Sequence, residues 1–243
     1  MQIGKLHVAS LDSLLACSIP TGPNPQFFLR AAWKIRVPEL NSSTSVALKI
    51  CGLTAVRGYN LLFSGLDFEL AGGRFAVLKG ANGTGKTTLL RMIAGFIEPE
   101  TGEIELPDDA RGQGPFFLGH ESGLRATDTP VGHLKDWADM HFAPRSAIEP
   151  AIQRVGLGAR QLVPAYSLSA GQKKRVALAR ALVAPRNLWL LDEPASALDV
   201  SGQALLCELL SEHLKSGGAC MAALHDPLNV TPDVTLDLGQ YVS

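Results

Sequence analysis

The sequence contains no apolar run near the about 18 residues that a membrane-spanning helix requires. Any association with a membrane would therefore come through a partner. None of its cysteines, Cys17, Cys51, Cys207 and Cys220, forms a C-x-x-C pair. That pattern fits reduced thiols rather than a disulfide framework. Without C-x-x-C-H the chain is not itself a c-type cytochrome. Neither sign of charge dominates: the formal net charge is −1, which argues against a nucleic-acid-binding surface as the main feature. There is no internal repeat. What remains is 243 residues, enough for one large domain or two small ones, with 46% hydrophobic content to build a core.

Against those absences one stretch stands out. Gly80-Ala81-Asn82-Gly83-Thr84-Gly85-Lys86-Thr87 fits G-x-x-x-x-G-K-[ST], the phosphate-binding loop. The apolar run Phe75–Leu78 before it reads as a buried strand, and Thr88–Ala94 after it as a helix, the context this loop needs. Glycines let backbone N–H groups turn inward around a phosphate, and the helix N-terminus adds its dipole. Lys86 reaches the β- and γ-phosphates as a point charge. The Thr87 hydroxyl is a hard oxygen ligand for Mg²⁺.

Residues 1–45 differ from the rest: they hold Pro20, Pro23, Pro25 and Pro38, a polar run Asn41–Ser45, and few acids. They read as an N-terminal extension, from a start placed too far upstream, a disordered segment or an organellar presequence. Residues 46–243 read as one domain. Ala47–Ile50 reads as a strand, Leu61–Phe63 and Leu66–Leu70 suggest half-buried antiparallel strands, Glu103–Leu106 alternates again, and Phe116–Leu118 reads as a short buried strand. Residues 107–114 read as a loop. About 120–165 the pattern turns helical: Leu134, Trp137, Ala138 and His141 share one face, and Ile148, Ile152, Val155 and Leu157 suggest a second helix. Leu188–Leu191 is apolar on both faces, as a central parallel strand is. Gln203–Leu214 reads as a helix and Ala219–Leu224 as another buried strand. Together these predict an α/β fold: a parallel-sheet phosphate-loop core with an antiparallel β subdomain and a helical insert.

Two further stretches carry chemistry. Leu188–Leu191 runs into Asp192-Glu193. At the C-terminal edge of a parallel sheet, Asp192 can hold Mg²⁺ through a water and Glu193 can polarise the attacking water as a general base. Leu168-Ser169-Ala170-Gly171-Gln172, just before a helix, offers a hydroxyl, a glycine amide and a helix N-terminus to an anion. Alone it reads first as an ordinary serine cap with no ligand. Lys173-Lys174-Arg175 reads as a solvated helix face, and His133 and His141 as surface or satisfied histidines.

In this order these motifs resemble the ATP-binding-cassette (ABC) ATPases, over roughly residues 46–240. The resemblance includes Ser196-Ala197-Leu198-Asp199, the family's dimer-contact loop, and His225, its switch histidine. It implies the family's nucleotide-binding fold and Mg²⁺-dependent ATP hydrolysis by a head-to-tail homodimer. Each ATP would lie on Gly80–Thr87 and Thr88 of one chain, beneath Ser169, Gly171 and Gln172 of the other, with Asp199 at the dimer contact. His225 would contact the γ-phosphate. Arg57 or Tyr59 would stack on adenine, with Arg57 in the better register. The insert, through its Leu134, Trp137 and His141 face, would dock a membrane subunit. The sequence departs from the family at Ala170, usually glycine. It has His120 or Glu121 where a glutamine usually opens the insert. Leu118-Gly119-His120, Gly123-Leu124, Leu168–Arg180, His213 and His225–Leu228 resemble the family's cytochrome c maturation branch. That branch implies an integral membrane subunit of the CcmB type, a wider haem-handling complex, no nucleic acid, and peripheral attachment at the cytoplasmic face of the bacterial inner membrane. Another exporter, of drugs or lipoproteins, and a soluble non-transport cassette are the competing readings.

Overall fold

The computed structural model describes residues 46–106 and 114–242. The expected extension at 1–45, and the expected loop save for Gly114, lie outside the described residues. Long alternating stretches at the start build a three-stranded antiparallel sheet of order β2-β1-β4: β1 (Val46–Arg57), β2 (Asn60–Ala71) and β4 (Thr101–Glu105). β2 is one strand where the sequence suggests two pieces. Its register against β1 shifts between Leu53 and Ala55, opposite Ser64 and Gly65, so a bulge carries it past the break.

The second sheet is parallel, of order β5-β6-β7-β3-β8: β5 (Phe116–Leu118), β6 (Leu188–Asp192), β7 (Ala219–Ala223), β3 (Phe75–Lys79) and β8 (Val234–Asp237). The short, continuous apolar runs make this possible, because a central parallel strand buries both faces. Alternate residues separate accordingly. Phe75, Val77, Trp189, Leu191, Cys220 and Ala222 face one core. Ala76, Leu78, Leu188, Leu190, Met221 and Ala223 face the other. The first core is closed by α4 (Ala170–Val183) and α5 (Val200–Lys215), the second by α1 (Lys86–Ile93) and the antiparallel sheet. β8 is not foreseen from the sequence. Asp233 fixes its start, accepting from Phe75 N–H at 2.9 Å and from Arg74 at 2.6 Å.

The insert forms α2 (Pro130–Met140) and α3 (Ile148–Arg154). Here two expectations are corrected. Leu134 and Ala138 are fully buried, and Trp137 Nε1 donates to Arg180 O at 3.2 Å. The apolar face of α2 therefore packs on α4 within the chain, which leaves Leu134 and Ala138 unavailable to a docking partner. Of the two readings of the histidines, surface or satisfied, the first fails for His133, whose side chain is 12% exposed, while His141 is half-buried. His133 Nε2 finds no hydrogen-bond partner among the described residues.

Burial, with Arg180 adding to it, pushes the His133 imidazole down to about 4, although Asp128 Oδ2 lies 4.0 Å from Nδ1 and pulls the other way. Desolvation outweighs one carboxylate at that distance. The folded chain thus binds the proton less readily than the unfolded chain, so stability is lost as pH falls from about 6.5 towards 4. At pH 5 the cost for this imidazole is about 2 kcal/mol. Thermal melts at pH 7 and pH 5 should show the loss, and His133→Gln should reduce it.

Candidate active site

The parallel sheet brings the chemistry to one edge. Leu78 of β3 and Asp192 of β6 both pair with Ala223 of β7, so the phosphate loop and the acidic pair leave the sheet at the same level. In the loop, Gly80 and Gly85 have φ of 140° and 99°. A Cβ at Gly80 would lie 2.6 Å from Thr84 Oγ1, and one at Gly85 3.1 Å from the Phe63 ring. Only glycine fits such tight backbone at positive φ. Lys86 Nζ lies over the loop, donating to Gly80 O at 2.7 Å and Ala81 O at 3.0 Å. Thr84 Oγ1 donates to Ala81 O at 3.0 Å, while Asn82 and Gly83 are exposed at the loop tip. Gly85, at the N-cap of α1, has no side chain to cap the helix, which leaves its first-turn N–H groups to an anion. Thr87 and Thr88 sit half-buried in that turn. Leu62 and Phe63 of β2 contact the Gly85 position, which ties the antiparallel sheet to the loop. Arg57 pairs with Asn60 at the tip of the same β1–β2 hairpin, and both Arg57 and Tyr59 are exposed.

Asp192 is buried at the end of β6. Glu193 follows with φ 48°, a left-handed conformation that a non-glycine residue adopts only when held. Its N–H donates to Ala223 O at 2.9 Å and its carbonyl accepts from Ser196 Oγ at 2.7 Å. The carboxylate points outward, with His120 Nδ1 3.3 Å from Oε2. His225 is exposed, its Nδ1 3.5 Å from Asp226 Oδ1. Glu193 and His225 line one open cleft of about 620 Å³ with Ser196 and Gln203.

The serine stretch forms a capping box. Ser169 Oγ accepts from Gln172 N–H at 3.2 Å, and Gln172 Oε1 accepts from Ser169 N–H at 3.0 Å. The cap uses a lone pair of the hydroxyl and leaves its proton to donate. A Cβ at Gly171 would meet Ala197 O at 2.7 Å, so only glycine lets α4 approach the Ser196–Asp199 turn. Asp199 caps α5, accepting from Gly202 N–H at 2.8 Å, and pairs with Arg175 Nη2 at 2.7 Å. Arg175 first, then Gly202 N–H, hold its carboxyl below the usual carboxylate range. Ser169, Gly171, Gln172 and Asp199 line a second cleft of about 320 Å³ that shares no lining residue with the first.

One correction concerns α4. Lys174 is 3% exposed, not part of a solvated face. Its Nζ donates to Gly119 O at 3.1 Å and His120 O at 3.3 Å. Burial pushes this ammonium down to about 8, against the opposing pull of Asp192 and Glu193. Arg180, also buried, donates to Ser122 O at 3.0 Å and lies over the Trp137 ring. The sequence did carry a signal. Ala177, Leu178 and Ala181, at i+3, i+4 and i+7 from Lys174, are all buried on its face.

Comparison with known proteins agrees with this geometry. The ABC transporter family model matches residues 63–196. A CcmA of Rhodopseudomonas palustris, a cytochrome c biogenesis ATP-binding export protein, is 46% identical over 74% of this chain and 92% of its own length. The protein of that name from Methylococcus capsulatus is 43% identical over 75% and 92%. Among solved structures, a metal-chelate type ABC transporter in an inward-facing conformation superposes with TM-score 0.67 at 26% identity, over 80% of each chain. An ABC transporter ATP-binding protein of Pyrococcus furiosus gives 0.66 at 24%, over 81% of this chain and 99% of its own, a likeness of fold. The phosphate loop, the acidic strand end, the capped serine stretch and this breadth of sequence identity converge: the chain belongs to the ATP-hydrolysing ABC transporter ATPases and, among them, to the CcmA family.

Proposed function

We propose that the chain is the ATPase subunit of a cytochrome c biogenesis export system. It would act as a head-to-tail homodimer on an integral membrane subunit of the CcmB type, at the cytoplasmic face of the bacterial inner membrane. The observation that carries this is 46% identity to a CcmA protein across 92% of that protein, together with the loop and acidic pair it needs. No helix among the described residues is long and apolar enough to cross a membrane, which agrees with attachment through a partner. Residues 46–243 make the cassette.

In this reading the triphosphate lies on Gly80–Thr87 and the first-turn amides of α1, and Lys86 moves from the loop carbonyls to the β- and γ-phosphates. Arg57 lies against the adenine. Thr87 and Asp192 supply hard oxygens for Mg²⁺. Among the described residues no three His, Cys, Asp or Glu form a metal cluster. Mg²⁺ there would be held mainly by phosphate and water and would neutralise developing charge. Glu193 takes the proton of the attacking water, and His225 donates to the γ-phosphate. Ser169 and Gly171 would arrive from the second chain; within one chain their cleft shares no lining residue with that of Glu193. The work done is haem export or release of a haem-loaded chaperone. Deleting the gene should abolish covalent haem on c-type cytochromes and spare b-type haem proteins, read by haem staining of denaturing gels and by membrane spectra. Normal c-type cytochromes in the deletion strain would move the drug or lipoprotein exporter to first place.

A further inference from the structure

Glu193 carries its carboxylate on a backbone held by Ala223 and Ser196, but the side chain is 44% exposed and among the described residues has one close side-chain partner, His120. A carboxylate accepts hydrogen bonds and donates none, and His120 Nδ1, 3.3 Å from Oε2, lies within reach to donate one. The imidazole itself is 68% exposed. What is held is its backbone. Lys174 donates to the carbonyls of Gly119 and His120 itself, and Arg180 to that of Ser122. Both cations come from the buried side of α4. Burying an ammonium is costly unless its protons are used, and Lys174 directs two of its three into this loop.

We infer that His120 is a positioning residue for Glu193, orienting its carboxylate towards the water, and that Lys174 fixes His120 by holding the backbone on either side of it. The inference rests on Glu193 being the general base. A base must hold its oxygen within hydrogen-bond reach of the water, and a half-exposed glutamate samples several rotamers unless a neighbour selects one. His120 does not touch ATP in this role, so it should affect turnover and leave nucleotide affinity alone.

The test uses the full chain, with ATPase kinetics alongside binding of a fluorescent ATP analogue. His120→Ala should lower kcat about tenfold to a hundredfold, a loss typical of misplacement rather than removal of a catalytic group. Nucleotide affinity should stay within about twofold of wild type. His120→Asn, whose side-chain N–H stands near the place of Nδ1, should restore kcat to within about threefold of wild type. Lys174→Met should reproduce the His120→Ala loss, and Lys174→Arg should keep more activity. In the double variant Lys174→Met/His120→Ala the losses should not add. If Lys174→Met fails to fold by circular dichroism, the two His120 variants decide alone, because that side chain is exposed. Wild-type kcat in His120→Ala, with Glu193→Gln inactive, overturns the inference and leaves the base assignment standing. Near-normal Glu193→Gln removes the base assignment itself. Equal losses in His120→Ala and His120→Asn, or a parallel fall in affinity, also overturn the inference.

Discussion

Glu193→Gln should keep ATP binding and lose turnover by roughly 10²–10⁴-fold, the range that general-base catalysis contributes. The amide is nearly isosteric, so the left-handed turn at Glu193, fixed by backbone contacts to Ala223 and Ser196, should survive. What disappears is the acceptor for the water's proton. Because phosphate contacts remain, the ATP-bound dimer should accumulate, and gel filtration with ATP should show it. Lys86→Ala should behave differently. Lys86 lies over the phosphate loop, so its loss removes charge from the bound substrate and from the transition state alike, and binding and turnover fall together. Near-normal hydrolysis in Glu193→Gln would take Glu193 out of the base role.

The second large effect is complementation between two inactive chains. Lys86→Ala removes the phosphate loop's charge. Gly171→Asp places a bulky, like-charged side chain where even a Cβ would meet Ala197 O at 2.7 Å, and it faces the proposed triphosphate. Each should be inactive alone. If the site is composite, the mixed dimer contains one site with an intact loop from one chain and an intact Ser169–Gly171 segment from the other. A mixture should therefore regain part of the wild-type activity, peaking near equal amounts. A mixture as inactive as its parents at every ratio would mean that the site is not shared or that both sites must work together.

How far the sequence showed all this varies from residue to residue. Leu188–Leu191 announced a central strand because a strand buried on both faces has no alternative composition, and the phosphate loop announced itself through steric needs that only glycine meets. The parallel core and its site edge followed from those two. β8 stayed hidden because four residues, two of them polar, carry too little period, and Asp233 fixes its start through a contact 158 positions away. On α2, periodicity identified the apolar face but not what covers it. The chain's own α4 does so, where a membrane partner was expected. Lys174 misled for the opposite reason. Two cations beside it suggested solvent, while its helical neighbours at i+3 and i+4 placed it inside. The contact between His120 and Glu193 joins residues far apart in the chain and leaves no local trace in it.

If the proposed role is right, ATP turnover by this chain drives maturation of c-type cytochromes. Its most direct test is a strain whose only copy carries Glu193→Gln, with the variant protein at wild-type level. That strain should show no covalent haem staining of c-type cytochromes, intact b-type haem proteins, and haem accumulated on its membrane chaperone. Normal c-type cytochromes in that strain would contradict it.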